Sequence, residues 1–269
     1  MEKLFAKFFK PWLEVKKVKL KTYIVVSDVH VPAHDKRCHT ALLEFMRDTK
    51  PDGLIIAGDF LDLPEVSTHS KASLLQLETK RLHKSFSAGN LVLDDYDKAV
   101  GKQCTDKHYI EGNHESRLDR WIAQGDNAVF AGDEAVSIPS RLGLPRRGYT
   151  YHGTYPNAYV KLGHLVITHG RFTGANPAKK MLDTWGTSVV FGHVHTPSYY
   201  AGPAFLAQRV AIGLGHLADP KTPEMSYAGM PNAWIQGFAV LYVASDGTFT
   251  CQPIHFWNKS FVHAGKKYG

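Results

Sequence analysis

The chain reads as an α/β protein (α+β in the broader sense): two packed mixed β-sheets flanked by helices. Three observations lead there. Short β-branched runs alternate with helical patterning through the first half. Polar clusters follow the ends of those runs, where the ligands of α/β sheets usually lie. A second series of short strand-like runs then fills the second half, and two packed sheets accommodate both series.

Taken in order, residues 22–27 (TYIVVS) are a β-branched run that ends in polar residues, and 53–57 (GLIIA) repeat that form after a helical pattern over 38–48. Residues 107–110 give a third strand, ending in Glu-Gly-Asn-His. Residues 116–124 begin a helix with apolar Leu118, Trp121 and Ile122. Between Pro64 and Thr105 lies a helical insertion patterned by Leu74, Leu75, Leu77 and Leu82, then by Leu91, Leu93 and Tyr96, with Ala88-Gly89-Asn90 separating the two. Further strands are expected at 149–152, 158–161, 165–168, 188–191, 208–212, 237–244 and 248–253, the last two joined by a Ser245-Asp246-Gly247 hairpin turn. With no repeat and no linker-like stretch, residues 1–269 are expected to form a single domain with the insertion at about 64–105.

Of the 269 residues, 43% are hydrophobic, 12% aromatic and 21% charged, which excludes a disordered or collagen-like chain. The formal net charge of +7 favours anionic partners such as phosphate groups, nucleic acid or an anionic membrane surface. Three scattered cysteines, Cys38, Cys104 and Cys251, suit neither a disulfide framework nor a thiolate metal site, so a reducing compartment and a cytoplasmic location are expected. No run approaches the ~18 apolar residues of a membrane span, so no integral membrane segment is expected. The apolar residues Leu4, Phe5, Phe8, Phe9 and Trp12 form runs too short for a signal-peptide core and read as packing onto the protein itself. The lysines at 16, 17, 19 and 21 read as a solvated face, with nucleic-acid backbone as the rival partner.

Five short motifs follow strands: Asp28-Val29-His30, Gly58-Asp59-Phe60-Leu61-Asp62, Gly112-Asn113-His114-Glu115, Thr168-His169-Gly170 and Gly192-His193-Val194-His195. In an extended strand end Asp28 and His30 point the same way and can bind one metal. The same holds for His193 and His195, unless the turn at Gly192 sends them to two neighbouring ions. Hard oxygen donors (Asp28, Asp59, Asn113) with imidazoles (His30, His169, His193, His195) suit manganese, iron, zinc or nickel. Seven donors exceed one tetrahedral site but serve two ions sharing a carboxylate.

In this order the motifs D-x-H, G-D-x-x-D, G-N-H-[DE], a lone H and G-H-x-H resemble those of the calcineurin-like metallophosphoesterases, over Asp28 to His195. The resemblance implies a four-layer metallophosphoesterase sandwich. It implies two divalent transition-metal ions, manganese first among them: Asp28, His30 and His195 would hold one, Asn113, His169 and His193 the other, with Asp59 bridging. His114 corresponds to the family's non-ligand histidine, which contacts the phosphate and protonates the leaving oxygen, and Asp62 to the carboxylate that orients it. Arg117 resembles the arginine of G-N-H-E-x-R variants and would clamp a phosphate oxygen. Leu63-Pro64 stands where the protein Ser/Thr phosphatases have Arg-Gly, and no tyrosine ligand of the purple acid type is marked, so neither branch is expected.

The expected function is therefore hydrolysis of phosphodiesters of nucleic acid or nucleotides by a metal-bridging hydroxide, with a phosphate ester, DNA or RNA among the candidates, as partner. A phosphomonoesterase acting on a small metabolite or phosphoprotein is the alternative, and a non-catalytic metal-binding scaffold the alternative from another class; intact His114 and Asp62 argue against the latter. Outside the motifs, His39, His69, His83, His108, His152, His164, His216, His255 and His263 are read as structural or surface, with His216 singled out by its place after Gly213-Leu214-Gly215, and Trp234, Phe238 and Trp257 are read as core.

Overall fold

Strand β1 (Leu20–Val26) is exposed at its start and buried over its last four residues, as expected of a strand that enters the middle of a sheet covered on both faces. It pairs in parallel with β2 (Gly53–Ala57), which pairs in parallel with β3 (Asp106–Ile110), and that with β4 (Tyr149–His152). On its other side β1 pairs antiparallel with β10 (Gly237–Ala244), whose partner β11 (Phe249–His255) returns through the Ser245-Asp246-Gly247 turn. The result is a six-stranded sheet, β11-β10-β1-β2-β3-β4. The second sheet has five strands, β5 (Tyr159–Leu162), β6 (Leu165–Thr168), β7 (Ser188–Phe191), β9 (Arg209–Gly213) and β8 (Ser198–Gly202), in that order, with β6, β7 and β9 parallel. The computed structural model describes residues 18–67, 81–203, 208–229 and 232–269.

The two-residue side-chain period of a strand divides each sheet between two cores. Tyr23, Val25, Ile55, Ala57, Ile110, Ala239 and Leu241 meet Val160, Leu165, Ile167, Val190 and Ile212 between the sheets. Their neighbours of opposite parity, among them Ile24, Val26, Leu54, Ile56, Tyr109 and Val240, face helices α1 (Lys36–Thr49) and α2 (Leu82–Val100) through Leu42, Phe45, Met46, Leu93 and Tyr96. Val166, Val189, Phe191 and Ala211 bury the outer face of the second sheet against Ala178, Met181 and Leu182 of α5 (Pro177–Trp185). Helix, sheet, sheet and helix make the four layers expected from the sequence.

Expected strands and observed ones agree to within two or three residues, but four readings change. Ala88-Gly89-Asn90 does not divide two helices: α2 runs through it unbroken. A glycine inside a helix costs about 1 kcal/mol relative to alanine, and it is retained here by close contact, because a Cβ at Gly89 would lie 2.7 Å from Leu61 Cδ2. Leu91, read as part of the apolar face, is 67% exposed. Trp257, read as core, is 81% exposed. The helix expected over 116–124 is shorter, α3 (Ser116–Ile122), and a single-turn α4 (Ile138–Arg141) follows it. The sequence reading had no counterpart for α5, β8 or the terminal hairpin of β12 (Phe261–His263) and β13 (Lys266–Tyr268). The N-terminal aromatic residues, Lys16, Lys17, and Leu74, Leu75 and Leu77 of the insertion lie outside the described residues.

Candidate metal centre

The C-terminal ends of six strands deliver polar residues to one edge of the sandwich. Asp28 and His30 follow β1, Asp59 and Asp62 follow β2, and Asn113 and His114 follow β3 in the first sheet. His169 follows β6, His193 and His195 follow β7, and His216 follows β9 in the second. Backbone hydrogen bonds tie the loops to one another: Asp28 N–H to Gly58 O and His30 N–H to Asp59 O, both 3.0 Å, Gly192 N–H to His169 O at 2.9 Å, and Leu217 N–H to Asp28 O at 2.9 Å.

The convergence of Asp28 with His30 does not come from an extended strand end. Both residues are left-handed with φ 54°, as are Asp59 (49°), His193 (72°) and His195 (57°). This region is sparsely used by non-glycine residues but enriched in Asp, Asn and His, and such conformations cluster at functional sites. Gly192 is required by space: a Cβ there would stand 1.8 Å from Ser27 Oγ and 2.4 Å from Asp28 Oδ2. The turn it makes separates the two histidines after it. His195 joins a group with Asp28 and His30, and His193 a second with Asp59 and His169.

In the first group His195 Nε2 is 3.1 Å from Asp28 Oδ1 and 3.1 Å from His30 Nε2. In the second, His169 Nε2 lies 2.9 Å from Asn113 Oδ1 and 3.3 Å from Asp59 Oδ2. Asp59 Oδ2 also approaches His30 Nε2, at 4.0 Å, and so stands between the groups. The other oxygen of each carboxylate is held from behind. Asp28 Oδ2 accepts from Ser27 Oγ–H at 2.5 Å and from the His193 amide at 2.9 Å, and Asp59 Oδ1 accepts from the His114 amide at 2.8 Å.

These contacts meet the requirements of a divalent cation. His169 donates Nδ1–H to the Ala57 carbonyl at 3.0 Å, and His30 holds Nδ1 against Asp62 Oδ1 at 3.1 Å, which leaves both Nε2 lone pairs aimed at the acids. A lone pair facing a carboxylate oxygen is repulsive without positive charge between them. Burial opposes charge on His169, yet Asp59 pulls its pKa up to about 9, and His30 is raised in the same way against burial by Asp62 and Asp59. Burial likewise opposes ionisation of Asp28 and Asp59, but the surrounding imidazoles hold both below the usual carboxylate range. His193 is lowered to about 4 and His195 is lowered too, chiefly by burial, so both remain neutral donors. The oxygen and nitrogen set, with no thiolate, fits borderline divalent transition metals.

Asp62 Oδ1 sits 3.1 Å from His114 Nδ1 as well as from His30 Nδ1, and its carbonyl oxygen is 2.9 Å from His114 Nδ1. The third cluster of potential ligands, His30, Asp62 and His114, is thus a hydrogen-bonded pair of rings sharing one acid. His114 Nε2 is left facing Asp59 Oδ2 at 3.6 Å and Arg117 Nη2 at 2.9 Å, while Arg117 Nη1 donates to the Asp62 carbonyl at 2.9 Å.

Three features escaped the sequence reading. Glu115, fully buried, accepts from the amides of Asp59, Gly112 and Leu61 and from the Tyr109 hydroxyl, all within 3.0 Å, and joins the loops after β2 and β3. Its place in the third motif was visible, its acceptor role was not. His216, singled out by its place after Gly213-Leu214-Gly215 yet read as structural or surface, is stacked on His195 with ring centroids 5.0 Å apart, and Trp234 lies edge-on to His195 at 4.2 Å. Beside Asn113 and His193, a cavity of about 410 Å³ opens against Arg117, Arg120, Trp121 and Tyr155.

A two-sheet sandwich with paired His/Asp clusters around a shared carboxylate defines a class of candidate metal-dependent hydrolases. Residues 21–214 match the calcineurin-like phosphoesterases, and the chain belongs to that family of divalent-metal-dependent hydrolases of phosphate esters. It is 26% identical over 242 residues to the Gene 54 protein of Mycobacterium phage D29, covering 83% of this chain and 89% of the phage protein, and the Gene 54 protein of Mycobacterium phage L5 matches to the same extent. Among solved structures, a conserved uncharacterized protein and predicted phosphoesterase from Streptococcus pneumoniae TIGR4 aligns over 93% of this chain and 97% of its own with 14% identity and a TM-score of 0.38. Yfce, a phosphoesterase from E. coli, aligns over 86% and 98% with 15% identity and a TM-score of 0.36. Among the described residues no helix is long and apolar enough to cross a membrane.

Proposed function

We propose that the chain is a two-metal phosphodiesterase acting on nucleotides or nucleic acid. The observation that carries the reading is the position of Asp59, whose Oδ2 faces His169 Nε2 at 3.3 Å on one side and His30 Nε2 at 4.0 Å on the other. Asp28, His30 and His195 would hold one ion, Asn113, His169 and His193 the second, and Asp59 both; manganese is the ion we assign first. Two such ions, when bound, supply an activated water and neutralise charge on the phosphoryl group.

The chain's own groups do the rest. Asp62 fixes the His114 ring through Nδ1 and would stabilise its doubly protonated form, in which Nε2, directed toward the shared carboxylate, can hand its proton to the departing oxygen. Arg117 is anchored by the Asp62 carbonyl and reaches His114 Nε2, so an incoming phosphate oxygen would meet both groups together. The formal charge of +7 supports an anionic polymer or nucleotide as substrate.

Hydrolysis of a chromogenic phosphodiester and a phosphomonoester by the manganese-loaded chain, side by side with Asp59→Asn, tests this. The expected result is diester preference, abolished in the variant. Monoester preference would replace the diesterase reading with a phosphatase, and wild type no faster than Asp59→Asn on either ester would remove the catalytic reading.

A further inference from the structure

Beyond the ligand groups, the cavity next to Asn113 and His193 has a distinct composition. Two guanidiniums line it, Arg117 and Arg120, and each is placed by backbone carbonyls: Arg117 by Asp62 O at 2.9 Å, Arg120 by Asn113 O at 3.0 Å. Among the described residues no carboxylate pairs with either. With five N–H donors on each guanidinium, both keep donors for an anion, and that anion lies beside the shared carboxylate. The remaining wall is aromatic and amide: Trp121, Tyr155 and Gln124. Trp121 is only partly buried and lies nearly parallel to Phe130, at 6.1 Å and 19°. Tyr155 stands edge-on to His169 at 5.9 Å, which brings the aromatic wall up to the metal-ligand groups.

A purely ionic substrate has no use for a tryptophan, and a purely apolar one none for two arginines that no carboxylate pairs among the described residues. A phosphate joined to a flat heteroaromatic ring uses both. We infer that this groove takes one nucleoside attached to the scissile phosphate, with its base against Trp121 and its phosphate at Arg117 and Arg120. This rests on the phosphoesterase reading above and narrows its substrate to one unpaired nucleotide held in a defined groove. The space, about 410 Å³, is of small-ligand size. It suits a single unpaired nucleotide, free or within a single strand; in a duplex the base is stacked on its neighbours and is not offered to a side chain.

The test uses the manganese-loaded full chain and two diesters with the same leaving group, the p-nitrophenyl esters of thymidine 5′-monophosphate and of methyl phosphate. Wild type is expected to favour the thymidine ester in kcat/KM, and Trp121→Ala to reduce that ratio by roughly 5- to 150-fold, the span of one base–aromatic stack. Trp121→Phe should keep most of the ratio, which separates stacking from loss of fold. Equilibrium binding provides a second readout: thymidine 5′-monophosphate should bind more tightly than methyl phosphate to wild type, and the gap should close in Trp121→Ala. Faster turnover of a thymidine oligonucleotide than of a thymidine dinucleotide would assign the source as single strands, and equal turnover as free nucleotides; either supports the inference. Equal rates on the two esters in wild type, an unchanged ratio in Trp121→Ala, or preference for a paired duplex over its single strand would overturn it. Failure to hydrolyse either ester at all would instead strike the phosphoesterase reading, and the binding comparison would still decide the groove.

Discussion

Glu115 touches no group that would meet a phosphate, yet its two oxygens accept four hydrogen bonds from Asp59, Gly112, Leu61 and Tyr109. Burial raises its pKa, so the four donors stabilise a carboxylate that the interior disfavours. Truncating it leaves those donors buried without acceptors. Glu115→Ala is therefore expected to lower stability by about 3–5 kcal/mol in denaturant titration. Glu115→Gln should lose less, since one acceptor oxygen remains; equal losses would show that packing volume, and not hydrogen bonding, is what the residue supplies. The contrast with Asp59 or His169 shows what kind of residue a sequence displays. Residues in recurrent short motifs with metal-donor chemistry are recognisable from type and spacing, whereas Glu115 works through backbone amides of three other positions, and amides carry no sequence signature.

The loop between β1 and α1 depends on Asp35. Its Oδ1 accepts from the Arg37 and Cys38 amides at 3.0 and 3.1 Å, capping α1, and its Oδ2 meets Lys259 at 2.5 Å and Gln236 at 3.1 Å. Burial alone would raise this carboxyl, but Lys259, Gln236 and the cap hold it down at about 2. A group depressed from an unfolded value near 3.9 stabilises the fold above that value and loses the contribution as pH falls toward 2. Asp35→Asn should accordingly be less stable than wild type at pH 7, by roughly 2 kcal/mol, with the difference shrinking between pH 4 and 2; a gap independent of pH would assign the effect to the cap alone. The strands β1 to β7 and β9 to β11 and helix α1 are readable because their apolar runs and periodicity are local. Helix α5 had its own punctuation, Pro177 at its start and Gly186 at its end, which the reading passed over. The unbroken α2 was not readable, because Gly89 is explained by Leu61 and Leu142, residues distant in sequence that the fold brings against it. Nor were the left-handed turns at Asp28, His30 and His195: spacing alone suggests an extended strand end, and the tertiary hydrogen bonds that hold the turns lie outside any local window.

Both sheets contribute to the centre: Asp28, His30, Asp59, Asp62, Asn113 and His114 come from loops of the first sheet, His169, His193 and His195 from loops of the second. On the proposed reading a divalent ion held between them would cross-link the sandwich as well as serve catalysis, which would link metal binding to folding. Free metal at 100 times its dissociation constant adds about 2.7 kcal/mol, which in a chain of this length corresponds to a rise in Tm of roughly 5–10 °C. Chelation should reverse that rise in a thermal melt of wild type and leave the Tm of Asp59→Asn nearly unmoved, while equal shifts in both would place the stabilising ion elsewhere.

The layer of Val25, Ile55, Ile167, Val190 and Leu241 between the sheets then acquires a second office. Its thickness works as the jaw setting of a caliper. A methyl group removed or added there would change the gap across which residues of the two sheets would hold the same ion. Interior packing, ordinarily read out as stability, would in this fold also be read out as selectivity among metals of slightly different radius.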